Sequence, residues 1–300
     1  MTGRELETAV SAERLPRRAL VMGARGMLGT DLCPALTAAG WDVIAADIQE
    51  VDITDPAAVR EFAAQSRPQA IVNCAAYTAV DRAEQERDIA FAVNEGGARH
   101  VAEAAAAIGA ALLHISTDYV FDGRKAGAYA EDDPPHPLNV YGASKLAGEQ
   151  AVRRTLGEHY ICRTAWLFGP HGRSFPRTML ELASAGRPLR VINDQVGSPT
   201  YTGHLAAALV RVLDRPEYGT YHIVNAGRCT WYELAREVLR AAGIAAELTP
   251  ITSAEYPTAA TRPANSVLDA SKLLRVYGYR LPHWRQGVAE FVARWRAAVP

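Results

Sequence analysis

Nowhere in its 300 residues does the chain carry an apolar run approaching the length of a membrane span. Its start, MTGRELETAVSAERLPRR, lacks the apolar core of a signal peptide. Charge of one sign is missing too. Lys and Arg number 32 against 33 Asp and Glu, so the chain offers no electrostatic footprint for nucleic acid or an anionic membrane. A few local cations would still suffice for an anionic small molecule. Cysteine is scarce: Cys33, Cys74, Cys162 and Cys229 are widely spaced and form no C-x-x-C pair. Cys74 and Cys162 lie in apolar, strand-like runs, which reads as buried free thiols in a reducing compartment. No metal-ligand spacing stands out, and no internal repeat or low-complexity tract is evident. These absences leave a cytoplasmic protein with no nucleic-acid or membrane partner and no metal. Residues 1–17 read as a loose extension.

What is present is an alternation. Short apolar runs, RALVM (18–22), DVIAA (42–46), QAIVN (69–73), ALLHIS (111–116) and YICRTA (160–165), read as buried strands. Helical candidates fall between them at about 27–39, 55–66, 84–108 and 140–156. Asp55-Pro56 supplies an N-cap and a first-turn proline for the second, and Gly40 and Gly109 fall where C-terminal caps belong. Nearly all-apolar strands alternating with helices predict a parallel sheet covered on both faces. Beyond residue 165 the rhythm loosens. Helices are expected at 174–185, 203–213, 230–242 and 284–298, strands near 189–192 and 220–224, and a loop over 252–267. The expected architecture is α/β: a Rossmann-type doubly wound sheet over 18–165, to which parts of the later chain return, then a smaller substrate lobe built mainly from 166–300.

The first strand runs into Gly23-Ala24-Arg25-Gly26-Met27-Leu28-Gly29, a glycine turn that opens a helix. Such a turn lets a pyrophosphate approach the backbone and places it at the helix N-terminus. Asp47 ends the second strand, where an acid hydrogen-bonds the adenosine ribose of a dinucleotide. No Lys or Arg occurs between Asp47 and Arg60 to receive a 2′-phosphate, which tips the choice from NADPH toward NADH, although Arg25 remains within reach of that phosphate. Asp52 and Ile53 are placed to line the adenine pocket, with a cap for the helix beginning near Pro56 as the other reading of Asp52.

Within STDYVFDG (116–123) and NVYGASKLAGEQ (139–150), Tyr141 and Lys145 sit four apart on one helix face. An ammonium beside a phenol lowers the phenol's pKa from about 10, making Tyr141 a usable proton donor to a carbonyl. Thr117 closes the preceding strand, whose carboxyl end faces the ligand crevice of a doubly wound sheet.

Together, Gly23-x-x-Gly26-x-x-Gly29, Asn73-Cys-Ala-Ala, Thr117 and Tyr141-x-x-x-Lys145 resemble the extended short-chain dehydrogenase/reductases. More narrowly, NCAAYTAVDRAE (73–84), RTAWLFG (163–169), DQVGSPTY (194–201) and RPANS (262–266) resemble the blocks of the dTDP-4-dehydrorhamnose reductase family. The resemblance implies hydride transfer from NADH or NADPH to the 4-keto carbon of a dTDP-6-deoxy-hexulose, by a monomer or homodimer. It gives Tyr141 the proton and a contact to the cofactor, Lys145 the nicotinamide ribose and Thr117 the reacting oxygen. It sets Ala75, Ala76 and Thr78 along the cofactor, and Val80, Asp118, Tyr119 and Trp166 around the sugar, with core packing the other reading of Trp166. Gln195, Arg262 and Asn265 belong to blocks expected to meet the nucleotide diphosphate, Arg262 being equally compatible with a structural tie. Asn94 is expected to tie helix to strand, and Glu149 to make a helix-surface or packing ion pair. Met27 departs from the family's usual Gln. Sugar-nucleotide 4,6-dehydratases carry Asp-Glu after the threonine; here Asp118-Tyr119 follows, without the general base that elimination of water needs. Reductases for other dTDP-deoxysugars or dihydrostreptose share these blocks, and a non-catalytic NAD(P)-binding regulatory subunit is the reading from another class.

Overall fold

The computed structural model describes residues 17–298, so the expectation for the amino-terminal extension lies, Arg17 apart, outside the described residues. The first half runs β1 (Arg18–Met22), α1 (Met27–Ala38), β2 (Asp42–Ala46), α2 (Pro56–Ser66), β3 (Ala70–Asn73), α3 (Val80–Ala83), α4 (Arg87–Phe91), α5 (Ala98–Ile108), β4 (Ala111–Thr117), α6 (Val140–Thr155) and β5 (His159–Thr164). The second half runs β6 (Leu167–Phe168), α7 (Phe175–Ser184), β7 (Leu189–Ile192), β8 (Val196–Gly197), β9 (Thr200–Tyr201), α8 (Thr202–Leu213), β10 (Gly219–His222), β11 (Cys229–Thr230), α9 (Trp231–Ala242), β12 (Leu248–Ile251), α10 (Ser271–Tyr277) and α11 (Trp284–Ala298).

The main sheet has the order β10-β5-β4-β3-β1-β2, parallel throughout. Strand side chains alternate between two cores, which is why the strands are apolar on both faces. From β1, Ala19 and Val21 join the core shared with α1 and α8, while Leu20 and Met22 join that shared with α2 and α5. The chain therefore returns to the first unit through α8, β10 and α10. A separate core of Phe168, Leu180, Leu234, Val238, Trp284 and Phe291 gathers α7, α9 and α11. Strand order reverses between β1 and β3, and a ligand crevice opens at such a switch point.

Asp55 caps α2 as expected, accepting from the Ala57 and Ala58 N–H groups at 2.9 and 3.1 Å. Asp52 does not cap it. Its Oδ1 accepts from the Thr54 N–H and hydroxyl in a local turn. The helix expected over 84–108 starts three residues later, at Arg87, and is not α-helical throughout. A turn at Glu84–Glu86 separates α3 from α4, and a π-helical segment, Ala92–Gly97, joins α4 to α5. Gly96-Gly97 has weak helical preference, and the extra residue of a π turn accompanies a buried Asn94. Asn94 bonds both the N–H and C=O of Tyr77, at 2.9 and 3.0 Å, and Ser144 Oγ at 3.0 Å. It ties its helix to the segment after β3, and to α6 as well.

Candidate active site

The carboxyl ends of β1, β3 and β4, the start of α6 and the segment after β5 converge on one groove. One end, about 470 Å³, is lined by Gly26, Met27, Leu28, Gly29, Thr78 and Val80. Thr117, Asp118, Tyr119, Tyr141, Lys145 and Trp166 line the same end. The other end, about 450 Å³, is lined by Asp47, Asp52, Ile53 and Ala75. Gly23, Gly26, Cys74 and Ala76 line both, so the two ends are continuous across the glycine turn. Gly23 has φ +76°, and a Cβ there would meet Ala75 N at 2.6 Å. Only glycine lets β1 turn this closely against the strand beside it.

The helix that carries Tyr141 and Lys145 is set by its first turn. Asn139 Oδ1 accepts from the Gly142 N–H at 2.7 Å, and Glu84, beyond α3, accepts from the Val140 N–H at 2.8 Å. The Tyr119 carbonyl passes so near that a Cβ on Gly142 would meet it at 2.1 Å, so the residue beside Tyr141 must be glycine. The Tyr141 ring stands edge-on to that of Tyr119, centroids 5.8 Å apart. Lys145 is 2% exposed and donates to the Ile115 carbonyl at 2.6 Å. Burial brings the ammonium down to about 8, against the opposing pull of Glu149 and Cys74.

Here the structure departs from expectation. Lys145 was to hold the Tyr141 phenol down; instead burial pushes it up to about 12, with the Thr117 hydroxyl opposing and Asp118 adding to the rise. The ammonium is directed at a backbone carbonyl, and desolvation of the phenolate dominates. Asp118 is itself raised to about 7 by burial, against the hydroxyls of Ser266 and Thr117, the latter donating to its Oδ1 at 3.0 Å. Its Oδ2 is buried without a hydrogen-bond partner.

Glu149 lies one turn beyond Lys145 and is fully buried, so the surface reading of it fails and the packing ion pair holds. It accepts Arg163 Nε and Nη2, both at 2.8 Å, Ser116 Oγ at 2.6 Å and Arg153 Nη2 at 3.0 Å.

Trp166 is both packed and presented to the groove. It holds φ +46°, a conformation costing a non-glycine residue of order 1–3 kcal/mol. Its ring stacks on Trp231, centroids 3.5 Å apart and 5° from parallel, and a Cβ on Gly197 would strike it at 2.2 Å. Trp231 and Arg173, which the sequence reading missed, line the same end. Trp231 opens α9, 65 positions after its stacking partner, and no local pattern links them. Arg173 follows the RTAWLFG block in a Gly- and Pro-bearing loop, a weak signal beside the block itself.

Three residues from blocks expected to meet the diphosphate make protein contacts. Gln195 joins Ser253 Oγ to the Trp231 indole N–H, at 3.0 and 3.2 Å, and so supports the stacked pair from behind. The Arg262 guanidinium grips Asp81 with two bonds, 3.0 and 2.7 Å. Asn265 donates to the Lys125 and Gly127 carbonyls. Among the described residues no cluster of His, Cys, Asp or Glu stands ready for a metal ion, and no helix is long and apolar enough to cross a membrane.

Fold and site together define a class: a Rossmann-type dinucleotide-binding protein with the Thr and Tyr-x-x-x-Lys site of the extended short-chain dehydrogenase/reductases. Residues 17–297 match the family model described as RmlD substrate binding domain, and the chain belongs to that family. It is 45% identical over 280 residues to a dTDP-4-dehydrorhamnose reductase of Streptomyces griseus, covering 91% of this chain and 92% of the relative. It is 42% identical over 276 residues to a probable dTDP-4,6-dihydroxy-2-methyloxan-3-one 4-ketoreductase of Streptomyces antibioticus, covering 91% and 94%. Among solved structures, the dTDP-4-dehydrorhamnose reductase of Bacillus anthracis str. Ames in complex with NADP superposes with a TM-score of 0.91 at 39% identity, covering 93% of this chain and 99% of that one.

Proposed function

We propose that this chain is an NAD(P)H-dependent reductase of the 4-keto group of a dTDP-4-keto-6-deoxy-hexose, converting dTDP-4-dehydro-L-rhamnose to dTDP-L-rhamnose. The observation that carries this is the convergence of Thr117, Tyr141 and Lys145 between the glycine turn and the Trp166 wall. The groove suits a dinucleotide: Gly23 admits close approach of a pyrophosphate, the start of α1 receives its charge, and Asp47 stands at the end of β2 for a ribose hydroxyl. The chemistry that a nicotinamide would supply there is hydride for the keto carbon. Lys145 would hold the nicotinamide ribose, the Thr117 hydroxyl would turn from Asp118 to donate to the reacting oxygen, and Tyr141 would deliver the proton as that oxygen becomes an alcohol. A phenol raised to about 12 carries its proton throughout the working pH range. Trp166 and Trp231 offer a flat apolar wall to the deoxysugar, and residues 166–300 supply most of the substrate lobe, Val80, Asp118 and Tyr119 completing the pocket. Cys74, expected to be buried, is only partly so and lines the groove, but the buried free thiols of Cys162 and Cys229 support a reducing, cytoplasmic setting. The name of the Streptomyces antibioticus relative supports a second reading, reduction of a different dTDP-ketosugar.

The test is NADH or NADPH oxidation with dTDP-4-dehydro-L-rhamnose, and with other dTDP-4-keto sugars in parallel. Turnover with the first at least tenfold above the others is the expected result, and cofactor binding without turnover on any of them would restore a regulatory role. The pH profile follows from Lys145. Its ammonium persists below its folded value of about 8 and is lost above it. Accordingly kcat/KM for NADH, which reports ionisations of the free enzyme, is expected to fall as pH rises past about 8. A profile flat to pH 10 would contradict the assigned role.

A further inference from the structure

At the adenosine end of the groove lies a charge arrangement that reduction does not use. Arg25, in the glycine turn, donates its backbone N–H to Asp47 Oδ2 at 2.9 Å. Its guanidinium is engaged elsewhere: Nη1 on Glu50 Oε2 at 2.7 Å, Nη2 on Glu50 Oε1 at 2.5 Å, and Nη1 on Gln49 Oε1 at 2.8 Å. Glu50 is fixed in turn, because its Oε2 accepts the Asp47 N–H at 2.9 Å and its own N–H donates to the Asp47 carbonyl at 2.9 Å. Among the described residues lining this end, Arg25 is the one cation, and Asp47 and Asp52 are both acidic.

We propose that Glu50 is a cofactor-selecting residue: by clasping the Arg25 guanidinium it withholds the one cation able to receive a 2′-phosphate, and so biases the groove toward NADH. The proposal deepens the reading of this groove as a dinucleotide site and rests on it. A 2′-phosphate brings about −1.5 to −2 charges to a hydroxyl position already faced by the Asp47 carboxylate. A free guanidinium would answer with a forked, charge-assisted pair; held on Glu50 and Gln49, it does not. The clasp is reversible. Its side chains are 58% and 34% exposed, and ion pairs so placed are weak. Removing Glu50 therefore releases Arg25 without threatening the fold.

Calorimetric titration of the purified protein with NADH and with NADPH, without sugar, tests this in wild type, Glu50→Gln, Arg25→Ala and the double variant. Glu50→Gln is expected to move the Kd ratio toward NADPH by about fivefold, the most that release of a weak exposed ion pair supplies, and to leave NADH affinity within about twofold. The double variant should return the ratio to within about threefold of wild type on the same scale. An unchanged ratio in Glu50→Gln overturns the proposal. So does a gain that survives loss of Arg25, since charge removal alone would then explain it. Failure to bind either cofactor would overturn the dinucleotide reading beneath it. A shifted ratio in a protein that reduces no sugar would remove the reductase reading and leave the role of Glu50 standing.

Discussion

Replacing Tyr141 with phenylalanine is expected to lower kcat by about 10²–10⁴, the range lost with a positioned general acid, while cofactor affinity stays within about twofold. The substitution isolates the proton because the ring stays. Phe retains the edge-on contact with Tyr119, and the helix start set by Asn139 and Glu84 does not involve the phenol. Thr117 and Lys145 also remain, so the carbonyl polarisation and cofactor contacts proposed for them are undisturbed. Cofactor oxidation under saturating sugar reads the loss, and titration with NADH reads what is kept. Turnover within tenfold of wild type would reassign the proton to another group. Asp118 would then be first in line, since burial raises it to about 7 and its Oδ2 is unpartnered.

The parts of this molecule that could be read in advance are those whose partners lie close in sequence. The strand, glycine turn and helix of β1 and α1 form one contiguous signal, and Tyr141 and Lys145 share a helix face four residues apart. Asp55-Pro56 marks its helix start with adjacent residues. Errors came where a distant contact overrides local preference. The helix expected over 84–108 starts late, since Glu84 lies in a turn with its carboxylate on the start of α6, and widens to a π segment where Asn94 turns inward to Tyr77 and Ser144. β12 escaped notice because Pro250 sits within it and two of its four residues are exposed. Trp231 reaches the groove only through the packing of α9 against the later core. The Tyr141 environment was misjudged for a related reason. Spacing places Lys145 on the same face, but only the folded chain shows its ammonium meeting the Ile115 carbonyl.

Glu149 makes the packing ion pair that its place on α6 suggested, and removing its charge carries the largest expected cost to the fold. Its carboxylate and the Arg163 guanidinium are 0% and 1% exposed, joined by two bonds at 2.8 Å, and Ser116 and Arg153 occupy the remaining acceptor positions. In Glu149→Gln the shape survives but Arg163 becomes a buried cation without a counter-charge. Breaking such a pair from one side costs about 3–5 kcal/mol, and chemical denaturation of both proteins at pH 7 measures it. A loss below about 1 kcal/mol would mean that water or the Glu131 carbonyl, 3.3 Å from Arg163 Nη1, replaces the lost charge. The pH dependence supplies an independent check. Arg163 and Ser116 hold the Glu149 carboxyl below its ordinary value of 4.5 although burial alone would raise it. A carboxylate depressed by folding stabilises above its unfolded pKa, and the contribution fades as pH falls through the folded value. The gap between wild type and Glu149→Gln should therefore be constant from about pH 6 upward and narrow below about pH 4. The double replacement Glu149→Leu with Arg163→Met should recover most of the single variant's loss, since apolar groups of similar volume can replace a buried pair. Any activity it lacks would then fall to Ser116, which Glu149 anchors immediately before Thr117.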